Sequence, residues 1–157
     1  MDEKEYDLLM KDLCGRLPYG VKVLYKGWDS DHGCEFNTVE DLIGIDDKFI
    51  HTLWRGERDK HSIVEPLSIT DYKPYLRPLS SMTEEERKEL KKLMNCDCVT
   101  DYSLEYTVGG QVDYDDFLVY YEESSKLIDW LNKNMFDYRG LIPKGLALEA
   151  KDGMYNN

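Results

Sequence analysis

The chain has 157 residues, with 32 acidic and 20 basic side chains and a formal net charge of −12 at pH 7. A chain of this length buries roughly two thirds of the surface that it exposes when unfolded, so we expect a single domain over 1–157. The excess of acid argues against binding to a nucleic-acid backbone, which needs clustered lysine and arginine. Because there is neither a signal-peptide pattern nor a long apolar run, we expect a cytoplasmic protein with no membrane contact.

Apolar residues at spacings of three and four predict an amphipathic helix at the start of the chain, over about 3–14. They are Tyr6, Leu9, Met10 and Leu13. Gly15, followed by Pro18, should end this helix, because glycine and proline both interrupt helical backbone.

The region over about 20–70 is predicted to form a small antiparallel sheet. A period of two from Val21 to Tyr25 indicates a strand that runs to Trp28, and the turn-forming residues at 29–33 allow the chain to return as a hairpin. Two further β-prone runs lie on either side of a polar turn and predict a second hairpin; they are 48–54 and 62–67.

Prolines at 66, 74 and 78 keep the chain extended, so we interpret the tract that ends at Met82 as a connector. Thr83 and Glu86 have the spacing of a capping box, in which each side chain accepts a hydrogen bond from the other residue's amide. A second helix is therefore predicted over about 83–95.

A continuous apolar stripe predicts a third helix over about 116–135, and a loose tail is expected from about 151. Together these elements predict an α+β fold, in which a small antiparallel sheet packs with three helices.

Metal binding and catalysis find little support in the sequence. His32 and Cys34, with Cys96 and Cys98, offer zinc ligand types, but each pair has only one residue between its members, which is short for a tetrahedral site. The aspartates at 29–33 and 113–116 are incomplete as calcium loops, and a hairpin turn or a helix start explains them. Because no nucleophile, phosphate-loop or zinc-protease motif is present, we assign no catalytic residue, metal ligand or cofactor.

The acid is concentrated in one stretch. Residues 96–129 hold nine acids against Lys126 alone, for a charge of −8, together with five of the twelve tyrosines. If these side chains share a face, that face would suit a basic surface or imitate a nucleic acid. The candidate binding residues are Asp101, Glu105, Asp113, Asp115, Asp116, Glu122 and Glu123. A merely solvated surface is the alternative interpretation.

A second candidate site is a pocket for a small anion. Lys73 and Arg77 lie beside tyrosines in the proline-rich tract, and Arg139 follows a tyrosine near the C-terminus. Arginine binds anions through paired hydrogen bonds and stacks on rings. The candidate residues are Lys73, Tyr75, Arg77, Tyr138 and Arg139. The alternatives are an ordered strap packed on the core and a turn closed by an Asp137–Arg139 pair.

Three blocks of the sequence resemble a family of small phage and prophage proteins of gut bacteria. The blocks are Leu17-Pro18-Tyr19-Gly20-Val21, the run KPYLRPLSSMTEEE at 73–86, and FDYRGLI at 136–142 with Gly145-Leu146-Ala147. The family has no assigned activity, so the resemblance implies a phage protein in a bacterial cytoplasm and no catalytic residue.

Two functions therefore remain open. The chain is expected to be a non-enzymatic accessory protein that binds a host protein through the acidic, tyrosine-rich face, in host takeover or counter-defence. The alternative is a protein that sequesters or processes a small anionic ligand, such as a nucleotide signal.

Overall fold

The computed structural model describes residues 1–46, 50–53, 72–93 and 117–155, in the last range with side chains from residue 125 onward. Within these ranges the chain forms three α-helices and five strands, and the α+β prediction is confirmed. In chain order they are α1 (Glu3–Arg16), β1 (Lys22–Asp29), β2 (Cys34–Ile45), β3 (Ile50–Leu53), β4 (Tyr72–Leu76), α2 (Glu84–Leu93), α3 (Phe117–Lys133) and β5 (Leu148–Glu149).

The strands form one sheet in the order β3-β2-β1-β4-β5. All neighbours are antiparallel except β4 and β5, which run parallel. The predicted antiparallel sheet holds for β1, β2 and β3, whereas the predicted strand at 62–67 lies outside the described residues. The proline-rich tract begins as a strand rather than a connector. β5 pairs with β4 only at Tyr75 and Leu76, so at Pro74 the strand β4 has a described neighbour, β1, on one side only. Proline is tolerated at such an edge position because it has no amide hydrogen to donate to a second neighbour.

The β1–β2 hairpin extends beyond the strands on either side of it. β4 pairs with β1 only at 23–25, and β3 pairs with β2 only from Asp41. The register between β1 and β2 nevertheless continues to the pair Asp29 and Cys34. The distal half of the hairpin therefore projects with no strand of the described chain beside it.

Helix α1 covers the inner face of the sheet. Leu9 and Leu13 pack with Val21, Val23 and further buried residues of the sheet. The helix begins with a capping box, since Asp2 accepts from the Glu5 amide and Glu5 accepts from the Asp2 amide. The predicted helix over about 3–14 is confirmed, and it extends two residues further, to Arg16.

Gly15 lies inside α1 because the helix passes close to Asn132 at the end of α3. A Cβ atom at Gly15 would stand 3.0 Å from Asn132 Nδ2, so the glycine allows this approach. The chain turns away only after the 3-10 turn Leu17–Tyr19, where Gly20 adopts a φ of 74°.

Helices α2 and α3 enclose a second apolar cluster with Met82 and Phe136. Its helical members are Leu90, Leu127, Trp130 and Leu131. The predicted capping box of α2 is confirmed, because Thr83 N donates to Glu86 Oε2 over 2.8 Å and Glu86 N donates to Thr83 Oγ1 over 3.2 Å. A third cluster joins Leu76 to the loop that leads into β5.

Tyr155 is anchored within the segment predicted as a loose tail. Its hydroxyl donates to the Tyr75 carbonyl over 2.7 Å and accepts from the Lys22 amide over 3.0 Å. Burial raises the pKa of this tyrosine to about 12, since the phenolate would be poorly solvated. The hydroxyl thus connects β1 to β4 as a neutral donor and acceptor.

Candidate functional site

The outer face of the β1–β2 hairpin lies opposite the face that α1 covers. Side chains alternate along a strand, so the burial of Val21 and Val23 places Leu24, Lys26 and Trp28 on the other side. Their cross-strand partners lie on that side as well. We define the outer face as Leu24, Lys26, Trp28, Glu35, Asn37, Val39 and Ile43.

Three large apolar side chains are exposed on the outer face. Trp28 is 63% exposed, Ile43 49% and Val39 43%. The register between β2 and β3 shifts between Leu42 and Gly44, which makes Ile43 the extra residue of a β-bulge. Single exposed apolar residues are common, but several on one face of a sheet are typical of a contact surface.

The charges around the outer face are mainly acidic. Glu35 stands directly opposite Trp28, Asp29 is the last residue of β1, and Asp31 lies in the adjoining turn. Asp29 Oδ2 lies 2.8 Å from His32 Nδ1, and the hydrogen bonds from His32 lower the pKa of Asp29. Lys22 is paired with Asp41 at 2.7 Å and adds no net charge, so Lys26 is the cation that the outer face sets against these three acids. The rim of this face is therefore suited to a basic partner.

Aromatic packing on the inner side holds the projecting half of the hairpin in shape. The Phe36 ring lies against Gly27, where a Cβ atom would overlap the ring, and it meets the Tyr25 ring edge-on at 5.8 Å. Tyr25 in turn stacks on Tyr72 at 5.1 Å. Trp28 is thus carried on a folded support, which limits the entropy lost on binding.

The predicted acidic site falls largely outside the described residues. Those outside are Asp101, Glu105, Asp113, Asp115 and Asp116. Glu122 and Glu123 belong to α3, where successive residues are about 100° apart around the axis. Whether the acidic residues form one face therefore stays a prediction.

Arg77, a predicted anion ligand, is held by other groups of the chain. Its guanidinium donates to both oxygens of Glu86, at 2.7 and 2.9 Å, and stacks over the Phe136 ring at 4.3 Å. Its amide donates to the Met135 carbonyl, and its carbonyl accepts from the Asp137 amide. Burial alone would raise the pKa of Glu86, but the hydrogen bonds from Arg77 and Thr83 outweigh burial and lower it. Arg77 thus joins β4 to α2 and to the segment after α3.

Tyr138 and Arg139 are close together, as expected for one site, but they belong to a buried network. Arg139 lies 4.6 Å from the centre of the Tyr138 ring, and its Nε is 3.2 Å from Asp12 Oδ1. Asp12 and Arg16 are fully buried and joined at 2.7 and 2.9 Å, and Arg16 also donates to the Phe136 carbonyl. Burial raises the pKa of Tyr138, whose hydroxyl donates to Asn132.

The turn at 137–140 is present, but the proposed Asp137–Arg139 pair is wrong. Asp137 instead accepts hydrogen bonds from the amides of Leu141 and Ile142, at 2.8 Å each. Its carboxylate therefore holds the turn through main-chain donors, while Arg139 reaches across to α1.

Tyr75 and Lys73 are the other two predicted anion ligands. The Tyr75 side chain is buried, and its carbonyl accepts from Tyr155. Lys73 borders a groove of about 320 Å³, together with Glu5, Leu9, Tyr72, Lys144 and Leu146. Of the five predicted residues, Lys73 alone lines this groove.

Within the described ranges, no group of three histidine, cysteine, aspartate or glutamate side chains is placed to hold a metal ion. Cys14 and Cys34 are exposed thiols, whereas Cys96 and Cys98 lie outside those ranges. None of the described helices combines the length and the apolarity needed to cross a bilayer.

Sequence reasoning did not identify the outer face as a site. The signal was present, because the alternation that assigns Val21, Val23 and Tyr25 to the core assigns Leu24 and Trp28 to the opposite side. The predicted sites were placed instead at the acidic stretch 96–129 and at Arg77 and Arg139. Comparison of the chain with protein-family models, curated proteins and solved structures finds no match.

Proposed function

We propose that this chain is a phage accessory protein that binds a host protein in the bacterial cytoplasm through the outer face of its β1–β2 hairpin. The observation that carries the proposal is the exposure of Trp28, Val39 and Ile43 on one face of a projecting hairpin. The bacterial setting rests on the sequence resemblance.

The energetics of the outer face suit protein recognition. Burying a large apolar side chain contributes about 1.5–3 kcal/mol, and tryptophan is enriched among the residues that dominate interface affinity. Of the large apolar side chains that the structure describes, Trp28 is the most exposed. Its partner should therefore offer an apolar cleft for the indole, with basic residues facing Glu35 and Asp31.

The acidic, tyrosine-rich segment 96–129 forms the second part of the proposal. Its charge of −8 would attract the same basic partner over long range and accelerate encounter. Such steering weakens as salt rises, because the screening length falls to about 10 Å at 0.1 M ionic strength. The two parts make different predictions, since contact with Trp28 is apolar and insensitive to salt.

The test is affinity capture from bacterial lysate with three forms of the chain: wild type, Trp28→Ala and Phe36→Leu. Phe36 lies on the opposite side of the same hairpin, and leucine keeps an apolar side chain against Gly27, so this variant controls for loss of an aromatic ring near the tip. We expect one protein to be retained by wild type and Phe36→Leu and lost with Trp28→Ala. That protein is then purified and titrated against all three forms, with a loss of at least about tenfold in affinity for Trp28→Ala.

Equal binding of the purified partner by wild type and Trp28→Ala would show that the outer face is not the contact surface. Repetition at low and high salt examines electrostatic steering, to which Glu35 and Asp31 contribute together with the acidic segment. Association rates that are unchanged by salt would remove the steering role of 96–129 and leave the role of Trp28 standing.

A further inference from the structure

The charges on the outer side of the β1–β2 hairpin are separated along its length. Glu35 lies near the tip, and Asp31 lies in the turn beyond it. Lys26 lies nearer the base of the hairpin. Lys73 of β4 borders the outer face at the level of Leu24, with which it pairs, so its side chain points to the same side of the sheet. Negative charge is therefore found at the tip, and positive charge towards the base.

Three of these charged groups have no partner of opposite charge within the chain. Among the described residues Lys26, Lys73 and Glu35 form no ion pair, whereas Lys22 is paired with Asp41. An unpaired charge is stable while water surrounds it, but it needs a partner once the apolar side chains beside it are covered. A molecule that covers the outer face must therefore place cations over the tip and acids over the base.

A second copy of this chain, turned in the opposite direction, meets both requirements. If two outer faces pack about a two-fold axis that runs across the strands, the tip of each hairpin lies over the base of the other. Glu35 of each copy then approaches Lys26 and Lys73 of the other, and Trp28 lies over Leu24 of the other. Hairpins that pack in the same direction would instead bring two acidic tips together, which is unfavourable.

The projection of the hairpin leaves room for this arrangement. β4 pairs with β1 only at 23–25, and β3 pairs with β2 only from Asp41, so the tip half has no strand of the described chain beside it. Because a two-fold interface uses the same surface twice, Trp28 and Val39 each contribute two side chains to it.

We infer that, when no host protein is bound, two copies of this chain pair through their outer faces in antiparallel orientation and cover Trp28 of each other. The inference rests on the proposed function in that both use the same face, so a host protein must displace the second copy to reach Trp28. Because the face has few large apolar side chains, the dissociation constant of the pair is on the order of 10–100 µM.

The pairing is tested by sedimentation equilibrium of the purified chain from about 1 to 300 µM. The salt concentration is about 0.15 M, where repulsion between two chains of charge −12 is screened beyond about 8 Å. We expect the mean mass of wild type to rise from that of one chain towards that of two. Trp28→Ala should keep the mass of one chain throughout.

Charge reversal tests the antiparallel orientation. Lys26→Glu and Glu35→Lys should each weaken the pair by at least about tenfold, since each brings like charges together. The double variant Lys26→Glu, Glu35→Lys exchanges the two ends and should recover most of the loss. Lys88→Glu, at an exposed position of α2, changes the net charge as Lys26→Glu does and should pair as wild type does.

The inference is overturned by a wild-type chain that stays single over the whole range, by a pair that survives Trp28→Ala, or by a double variant that pairs no better than the single ones. Capture of a host protein is measured with the chain immobilised sparsely enough to stay single, so it does not depend on pairing. A single chain that still binds a host protein through Trp28 would refute the pairing alone. A chain that pairs through Trp28 and captures no host protein would refute the host contact alone.

Discussion

Charged side chains are usually exposed and large apolar side chains buried, but the two sides of this sheet show the opposite. On the inner side, Asp12 and Arg16 of α1 are fully buried, whereas on the outer side Trp28 is 63% exposed. The buried charges have partners, because Arg16 donates to Asp12 and to the Phe136 carbonyl. The indole of Trp28 has no comparable enclosure. The buried Asp12–Arg16 pair therefore contributes to the structure, whereas the exposed Trp28 is the basis of the proposed contact with a partner.

The largest effect that this comparison predicts is at Asp12. Asp12→Ala leaves Arg16 buried without its carboxylate, and such a loss costs about 3–5 kcal/mol. Urea unfolding followed by circular dichroism measures the change. Asp7→Ala, on the exposed side of the same helix, should change the stability by no more than about 0.5 kcal/mol. A change below about 1 kcal/mol for Asp12→Ala would mean that the buried pair contributes little to the inner face.

Arg77 and Glu86 form a bridge that is less buried, and a smaller effect is expected there. Arg77→Met should cost about 1–2 kcal/mol, since both hydrogen bonds to the carboxylate are lost. Because the folded state lowers the pKa of Glu86 from 4.5, its contribution is present above that pH and is lost as the pH falls below it.

The pH dependence offers a second measurement at this bridge. Glu86→Gln should be less stable than wild type at pH 7, and the difference should shrink as the pH falls below 4.5. A difference that stays constant down to pH 3 would show that ionisation of Glu86 is not what the bridge depends on.

Tyr155→Phe should destabilise the chain by about 1 kcal/mol, since the Lys22 amide and the Tyr75 carbonyl both lose a partner. The pKa of Tyr155 rises from 10.0 to about 12 on folding, so its contribution is complete below pH 10 and declines as the pH rises towards 12. Unfolding midpoints at pH 8 and pH 11 should therefore differ more for wild type than for Tyr155→Phe. Equal differences would show that the loss of stability at alkaline pH arises from groups other than Tyr155.

The smallest effect on stability is expected at Trp28 itself. Trp28→Ala should shift the free energy of unfolding by no more than about 0.5 kcal/mol, because the side chain buries little surface. The same substitution at Trp130, which is only 8% exposed, should cost about 3–5 kcal/mol. A large loss at Trp28 would make it a structural residue and weaken its assignment to recognition.

Local signals in the sequence were sufficient for much of the fold. The capping box at Thr83 and Glu86 and the alternation from Val21 to Tyr25 depend on neighbouring residues, and both appear in the structure. Features that depend on contacts between residues far apart in the sequence could not be predicted from it. Gly15 predicted a helix end, yet it serves the close approach of Asn132, which lies more than a hundred residues later in the chain.

The candidate sites follow the same division. Arginines near tyrosines suggested an anion pocket, because the sequence gives their types but not their partners. Glu86 and Asp12 engage Arg77 and Arg139, and neither pairing can be deduced from composition.

The buried arginine also has a consequence for synthesis of the chain on the ribosome. Arg16 is made early, but the carbonyl that it binds belongs to Phe136, and Arg139 reaches Asp12 only after that residue has emerged. Until then the first helix carries a charged pair that the rest of the protein cannot yet enclose. The buried contacts of Arg16 and Asp12 can therefore be completed only after Phe136 and Arg139 have been translated.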